Sequence, residues 1–439
     1  MKKKDAQIRQ RLAYKIIHDH RYMYYDMLKK NLLKNREEIV IEQQCLLQNL
    51  IKYAYEHSIY YKEIMDFNGI SPLDIKTSED LKIFPVLTKK GIRENLDKIK
   101  SIDSFSEGMI RVTSGGSSGN QAIIYKSKYF EQISRASWLR NNLIVGWYPS
   151  DKSVWFWGSP IEHAKIKNSI LPKIGMIVNS RLVFNTYDYS PNDFNIWVKK
   201  ILKYKPKVIY GYSSVIYEFS KYLNKHSIQL SSVSKVVSTT EQLTNRDYIK
   251  NAFGCDVYDQ YGCREVLAIG IESQEDRLHI TDDVVILNIN NNNEFLVTAL
   301  YSYGFPLINY KLGDKGSYNY IENLPDIPFP ILDLKIGRIT DNFLRVDGRY
   351  ISSSALATYI SSYDLGIKEY QINQEYYDLF NIKILPYKYT NVNYIKEIIV
   401  KCLNEYFGIN IRCNFNIVDK IEPEKSGKKL MYKRTFNID

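Results

Sequence analysis

VIYGYSSVIYEFSKYLNKHSIQLSSVSKVVSTTEQLTNRDYIKNAFGCDVYDQYG, residues 208–262, decides the fold. Runs rich in β-branched and aromatic residues, VIYGY at 208–212, KVVSTTEQL at 235–243 and CDVYDQYG at 255–262, alternate with helical runs at 214–225 and up to Phe253. That rhythm predicts parallel strands joined by crossover helices. It extends upstream, through a helix near 192–204 and VWFWG at 154–158, to about residue 108. Before that, residues 1–100 read as a helical cover: in REEIVIEQQCLLQNLIKYAYEHS, apolar side chains recur at Ile39, Leu46, Leu50 and Ala54, close to helical spacing. Downstream, VVILNINNNNEFLVTAL reads as two strands around an Asn-rich turn, and further short strands to about 350 imply a smaller β-rich subdomain. Beyond Asp341, a helix around 391–406 and a Lys-rich end suit a small α+β unit.

At 439 residues the chain exceeds one ordinary core and implies two or three folding units. Its 44% hydrophobic and 13% aromatic content marks it as globular. The formal charge of +11 is spread along the chain with no recognition motif, so it fits an anionic substrate and not nucleic acid. MKKKDAQIRQRLAYKIIHDH lacks the apolar run of a signal peptide, and no stretch reaches the roughly 18 apolar residues of a membrane span. A cytoplasmic location is expected. Five scattered cysteines, Cys45, Cys255, Cys263, Cys402 and Cys413, form no C-x-x-C pair, so no disulfide framework, zinc site or thiol nucleophile is expected.

Five stretches carry candidate chemistry. In VTSGGSSGNQ, residues 112–121, Thr113 to Gly119 are all small or hydroxylated, so backbone N–H groups and hydroxyls can crowd around several oxyanions, polyphosphate being the natural guest. In Tyr258–Glu265, YDQYGCRE, an aromatic before glycine can lay its ring on a purine while the carboxylate four residues on reaches a divalent metal. In PLINYKLGD, residues 306–314, Asp314 follows glycine at a turn and could accept from both ribose hydroxyls. In GRITD, residues 337–341, Arg338 could meet phosphate or ribose oxygens, and Lys428 in SGKK sits on a glycine-flexible loop from which it could swing onto phosphate.

In this order the set resembles the adenylate-forming superfamily of acyl-CoA synthetases, peptide-synthetase adenylation domains and luciferases. It is most similar to the short branch of phenylacetate-CoA ligases and capsular polysaccharide biosynthesis proteins. VTSGGSSGN resembles the phosphate loop, YGCRE the Tyr-Gly-x-x-Glu motif, YKLGD the Tyr-x-x-Gly-Asp motif, GRITD the hinge and SGK the terminal lysine motif; LIKYAYEHSIYYKE and LKIFPVLTKKGIREN also resemble segments of that branch. Three departures stand out. Ser117 or Ser118 replaces the usual Thr, Asn120 and Gln121 stand where a proline is usual, and Arg264 precedes the glutamate where Thr or Ser is common, which puts the usual hydroxyl contact to the α-phosphate in question. Ser273, near His279, and the lack of a Cys-x-Cys remove the structural zinc of some phenylacetate-type ligases.

The resemblance implies an α/β fold: a large multi-subdomain adenylation domain at 1–340, with mixed and parallel sheets flanked by helices and the β-rich subdomain at about 280–340. A small mobile α+β lid at 341–439 would rotate about the hinge at Asp341. It implies ATP and Mg²⁺, with CoA as a possible co-substrate. Lys428, Glu265 and Thr113 would be catalytic, with Glu265 on Mg²⁺. Ser114, Gly115, Gly116, Ser117, Ser118, Gly119, Thr240, Glu241, Tyr261, Gly262, Arg264, Asp314 and Arg338 would hold nucleotide. Trp157, Tyr210, Gly211 and Tyr212 would line the pocket for an aryl, acyl, amino or sugar acid, whose acyl group passes to CoA or an amine. Aryl-CoA ligation in catabolism, adenylation of a hydroxyl and a non-catalytic nucleotide module are the alternatives; monomer and homodimer both stay open.

Overall fold

The computed structural model describes residues 3–102, 108–113, 122–158, 169–186, 188–243, 245–273, 277–319, 327–336, 342–360, 363, 365–408, 410–422 and 431–436. Strands in the first two-thirds of the chain are β1 (Met109–Thr113), β2 (Ile123–Ser127), β3 (Ser153–Trp157), β4 (Arg181–Asn185), β5 (Val208–Tyr212), β6 (Lys235–Thr239) and β7 (Asp256–Tyr261). They continue as β8 (Gly270–Glu272), β9 (Leu278–Ile280), β10 (Val285–Ile289), β11 (Glu294–Ala299), β12 (Tyr310–Asn319) and β13 (Ile331–Ile336). Apart from the β1–β2 hairpin they form one 11-stranded sheet in the order β10-β11-β12-β13-β9-β8-β7-β6-β5-β3-β4.

The half from β4 to β7 is parallel, as the strand–helix alternation predicts. Its crossover helices Pro191–Tyr204, Ser213–Lys225 and Arg246–Phe253 bury Trp197, Phe219 and Phe253 against Phe156 and Val236. Helix Lys128–Ile144 covers the opposite face, where Trp138 meets Trp147, Trp155 and Tyr210. The strands at about 280–340, expected as a subdomain, do not make a sheet of their own. β8 pairs with β7 and β9, and β9 with β13, so hydrogen bonding runs unbroken from the parallel half into the antiparallel half.

The antiparallel half shares its core with the N-terminal helices. Helix Arg36–His57 starts at a capping box, with Asn35 accepting from Glu38 N–H and Glu38 accepting from Asn35 N–H. Its buried stripe is Ile39, Gln43, Leu47, Leu50, Ile51 and Ala54, whereas Leu46 lies at the half-buried flank. Gln43 can occupy the stripe because its Nε2 donates to Asp282 O (2.8 Å). A buried ion pair, Arg140 to Asp283 at 2.7 Å, shared with Asn31 Nδ2 at 2.8 Å, bolts the helical cover to the sheet.

The C-terminal part has its own apolar core. The small pair β14 (Phe343–Leu344) and β15 (Tyr350–Ile351) precedes a four-stranded sheet of β16 (Ile367–Tyr376), β17 (Leu379–Pro386), β18 (Arg412–Ile417) and β19 (Tyr432–Arg434), in the order β18-β17-β16-β19. Helices Ser353–Ile360 and Val392–Phe407 pack on it, the latter through Ile395, Ile399, Leu403 and Phe407. Arg349 Nε bonds Asp188 (2.6 Å), and Tyr189 N–H donates to Tyr350 O (2.9 Å), contacts that hold this part against the parallel half in this arrangement.

Candidate active site

Open parallel sheets place ligands outside the carboxyl ends of their strands, where chain crossings leave a crevice. The ends of β5, β6 and β7 are Tyr212, Thr239 and Tyr261, and the candidate residues gather there. Gly262 follows β7 at a turn so tight that a Cβ would lie 2.2 Å from Leu267 O, so only glycine fits. That turn points three side chains at different partners. Tyr261 OH donates to Asp314 Oδ2 (2.9 Å), Arg264 Nη1 donates to Thr113 Oγ1 (3.3 Å), and the buried Glu265 accepts from Tyr310 OH (3.1 Å). Segments 45 to 151 residues apart thus meet at one strand end.

Asp314 reaches Tyr261 because β12 bulges. Its register against β11 jumps from Leu296↔Lys311 to Glu294↔Lys315, leaving Leu312, Gly313 and Asp314 opposite Phe295 alone. Gly313 sits at φ +97°, a conformation that β-carbons disfavour. Tyr310, at the start of the strand, is gripped from the helical cover: Leu87 N–H donates to Asn309 O (3.1 Å) and Leu87 O accepts from Lys311 N–H (2.9 Å). The LKIFPVLTKKGIREN segment therefore helps to set the tyrosine that holds Glu265.

The turn after β6 forms a second wall. Thr240 adopts φ +76°, strained for a β-branched residue and of the kind that surrounding structure must enforce at functional sites. The enforcement is visible on both sides. Glu241 accepts from Ser214 N–H (2.7 Å) and Ser214 Oγ (3.1 Å) in the first turn of helix Ser213–Lys225. Below it, Asp259 accepts from Gln260 N–H (3.0 Å) and from the backbone N–H of Leu243. Burial, with Glu272 adding like charge, pushes the Asp259 carboxyl up to about 7, while Arg246 bonds Glu272 and pulls the other way.

The expected substrate wall is aromatic and closely fitted. Trp157 stacks on Tyr212 with centroids 4.7 Å apart, and Trp155 lies 4.4 Å from Tyr210. A Cβ on Gly211 would meet Phe156 O at 2.4 Å, so glycine lets β5 lie close to β3. Gln260 Oε1 accepts from Trp138 Nε1 (2.8 Å) and Tyr210 OH (3.2 Å), which fixes the rings. Burial raises the Tyr210 hydroxyl, keeping it a neutral donor.

The structure thus brings together Thr113, Tyr261, Gly262, Arg264, Glu265 and Asp314, with Thr240, Glu241, Trp157, Tyr210, Gly211 and Tyr212 on the neighbouring strand ends. Ser114, Gly115, Gly116, Ser117, Ser118, Gly119, Arg338, Asp341 and Lys428 lie outside the described residues. Sequence reasoning missed the positioning parts Tyr310, Gln260, Trp138 and Asp259. Tyr310, Asp259 and Gln260 lay inside the quoted stretches YKLGD and YDQYGCRE without being assigned a role, and Trp138 had no local signal. No group of three or more His, Cys, Asp or Glu poised for a metal occurs among the described residues. Glu265 alone still fits Mg²⁺, which commonly takes one or two protein carboxylates beside substrate phosphates. Among the described residues, no helix is long and apolar enough to cross a membrane.

Comparison with known proteins adds four findings. Residues 343–435 match the CapK C-terminal domain family. Protein CapK of Staphylococcus aureus is 27% identical over 430 residues, covering 94% of this chain and 93% of the relative. The crystal structure of 2-hydroxyisobutyryl-CoA ligase in complex with 2-HIB-AMP and CoA in the thioesterification state superposes with a TM-score of 0.60 at 16% identity, over 91% of this chain and 90% of the other. The open conformation of that ligase, also in complex with 2-HIB-AMP and CoA, gives 0.55 at 16% identity over 87% and 89%. The chain therefore has the fold of an adenylate-forming CoA ligase, including a separate C-terminal domain.

Proposed function

We propose that the chain is an ATP-dependent ligase that activates a small carboxylic acid as its acyl-adenylate and passes the acyl group to CoA or an amine in surface polysaccharide assembly. The convergence of Thr113, the Tyr261–Glu265 turn and Asp314 at the carboxyl end of the parallel strands carries this reading. A carboxylate oxygen of the acid bonds to the α-phosphorus of ATP as the α–β bridging P–O bond breaks, and pyrophosphate leaves. Two anions must approach each other, so charge neutralisation and positioning dominate the catalysis.

The Tyr261 ring lies against adenine beside the Thr240–Glu241 turn, and Asp314 takes the ribose hydroxyls, sharing or exchanging its hydrogen bond from Tyr261. Thr113 leads into Ser114–Gly119, whose N–H and hydroxyl groups take the phosphates, and Arg264, bonded to Thr113, adds positive charge. Glu265, oriented by Tyr310, would hold Mg²⁺, which lowers the charge on the phosphates. Residues 341–439 act as a lid that turns about Asp341; Lys428 reaches phosphate in the first half-reaction and Arg338 braces the nucleotide. In the second, a thiolate, or an amine that gives up a proton to solvent, attacks the acyl carbon, the C–O bond to the phosphate oxygen breaks and AMP leaves.

The CapK relative supports the polysaccharide assignment, and the solved neighbours with CoA bound support CoA as one acceptor. A cytoplasmic site of action accords with ATP and CoA as substrates. The test measures pyrophosphate release from ATP across a panel of aryl, acyl, amino and sugar acids, followed by trapping with CoA or amines. Acid-dependent release supports the reading. Release that no acid stimulates, or a stable adenylated hydroxyl product, rejects it.

A further inference from the structure

Two helices in mutual contact turn apolar sides to solvent. Helix Lys3–Ile16 is held inward by Gln10, whose Nε2 donates to Pro149 O (2.8 Å). Arg9 Nη2 ties it to the end of helix Ile170–Val178, reaching Val178 O (3.2 Å) and Ser180 Oγ (3.0 Å), and Tyr14 OH exchanges hydrogen bonds with Asn179 beside them. At roughly 100° per residue, buried Ala6 and Gln10 share the inner side, which leaves Ile8, Leu12 and Ile16 on the outer side. They are 57%, 55% and 76% exposed.

Helix Ile170–Val178, ILPKIGMIV, buries none of its residues fully; Ile170, Leu171 and Ile177 are 70%, 74% and 69% exposed, and Ile174 is exposed as well. Single exposed aliphatics are ordinary, but this many on two clamped helices is the kind of surface that marks an interface.

The charge around it selects the partner. Residues 1–30 hold nine Lys and Arg against three Asp, a net +6 of the chain's +11, and residues 169–180 add Lys173 and no carboxylate. A second copy would bring like charge against like, whereas an apolar ridge flanked by cations matches an anionic lipid surface. We propose that these two helices dock the protein on an anionic phospholipid membrane, with Leu12, Ile174 and Ile177 in the headgroup layer and Lys4, Lys15 and Lys173 over lipid phosphates. The attachment is peripheral and reversible, and independent of the chemistry proposed for the site.

Vesicle flotation of the full chain tests it. Co-flotation is expected with phosphatidylglycerol–phosphatidylcholine vesicles, not with phosphatidylcholine alone, and should weaken as salt rises. The triple substitution Leu12→Ser, Ile174→Ser, Ile177→Ser removes exposed side chains only, and should weaken binding more than about tenfold with unchanged circular dichroism. Lys4→Gln with Lys15→Gln should weaken it about fivefold per lysine. Failure to float with the anionic vesicles, equal binding to neutral ones, or wild-type binding by the triple variant overturns the proposal. A dimer in sedimentation that the triple variant makes monomeric would assign the face to a second copy and equally overturn it.

Discussion

Tyr310→Phe removes one oxygen from the interior and leaves the ring in place. Its hydroxyl is the donor to Glu265 Oε1 at 3.1 Å, and Tyr310 is 0% and Glu265 2% exposed, so water cannot readily replace the lost bond. Hydrogen bonds to charged groups contribute about 1.5–3 kcal/mol, and at about 1.4 kcal/mol per factor of ten this orienting bond corresponds to roughly 10- to 100-fold in rate. If Glu265 holds Mg²⁺, the loss should appear as a lower kcat for pyrophosphate release together with a higher half-saturating Mg²⁺ concentration. Phenylalanine keeps the apolar contacts, and Leu87 still bonds the backbone on both sides of the position, so the fold persists. Glu265→Gln should cost more than Tyr310→Phe, and the double variant should be no worse than Glu265→Gln alone, since both act through one carboxylate. Fully additive losses, or a Tyr310→Phe enzyme with wild-type rate and Mg²⁺ dependence, would refute the reasoning.

Asp314→Ala should raise the KM for ATP at least about tenfold while leaving the KM for the acid nearly unchanged, because it loses a charged hydrogen-bond acceptor on the nucleotide side alone; an equal rise in both constants contradicts the ribose assignment. Gly262→Ala drives a Cβ into Leu267 O, and should abolish pyrophosphate release by displacing the Tyr261–Glu265 turn; normal activity would show that the turn has slack. For Asp259, the folded carboxyl keeps its proton up to about pH 7 whereas the unfolded one releases it near 3.8. Its contribution to stability is therefore present at low pH and lost as pH rises through that window, by about 1.4 kcal/mol per unit. Asp259→Asn should gain on the wild type in thermal melts between about pH 4 and about pH 7 and level off above it; a difference that does not vary with pH would show that Asp259 does not titrate there.

Much of the parallel half was legible because its signals are local. VWFWG, VIYGY and the runs at 235 and 255 became β3, β5, β6 and β7, and the turn after β7 carries its glycine in the sequence itself. The stripe of helix Arg36–His57 was read less well, since Gln43 looks polar until Asp282 supplies its partner. The continuous sheet was hidden because strand length and alternation do not say which strand is the neighbour, and the β8–β9 pair that joins the halves has three residues in each strand. At the site, motifs named the groups that face a ligand but not those behind them. Tyr310 holds Glu265 across 45 residues and Trp138 reaches Gln260 across 122, contacts that no spacing rule encodes. The left-handed Thr240 was equally silent, because threonine carries no propensity for that conformation and the surrounding hydrogen bonds impose it.

The most direct measurement is a crystal structure of the protein with a non-hydrolysable ATP analogue and Mg²⁺. The expected density has adenine against Tyr261, ribose oxygens on Asp314, the phosphates at the residues that follow Thr113, and the metal on Glu265. Nucleotide bound elsewhere, or bound here with its phosphates pointing away from Thr113 and Glu265, would contradict a shared adenylation centre.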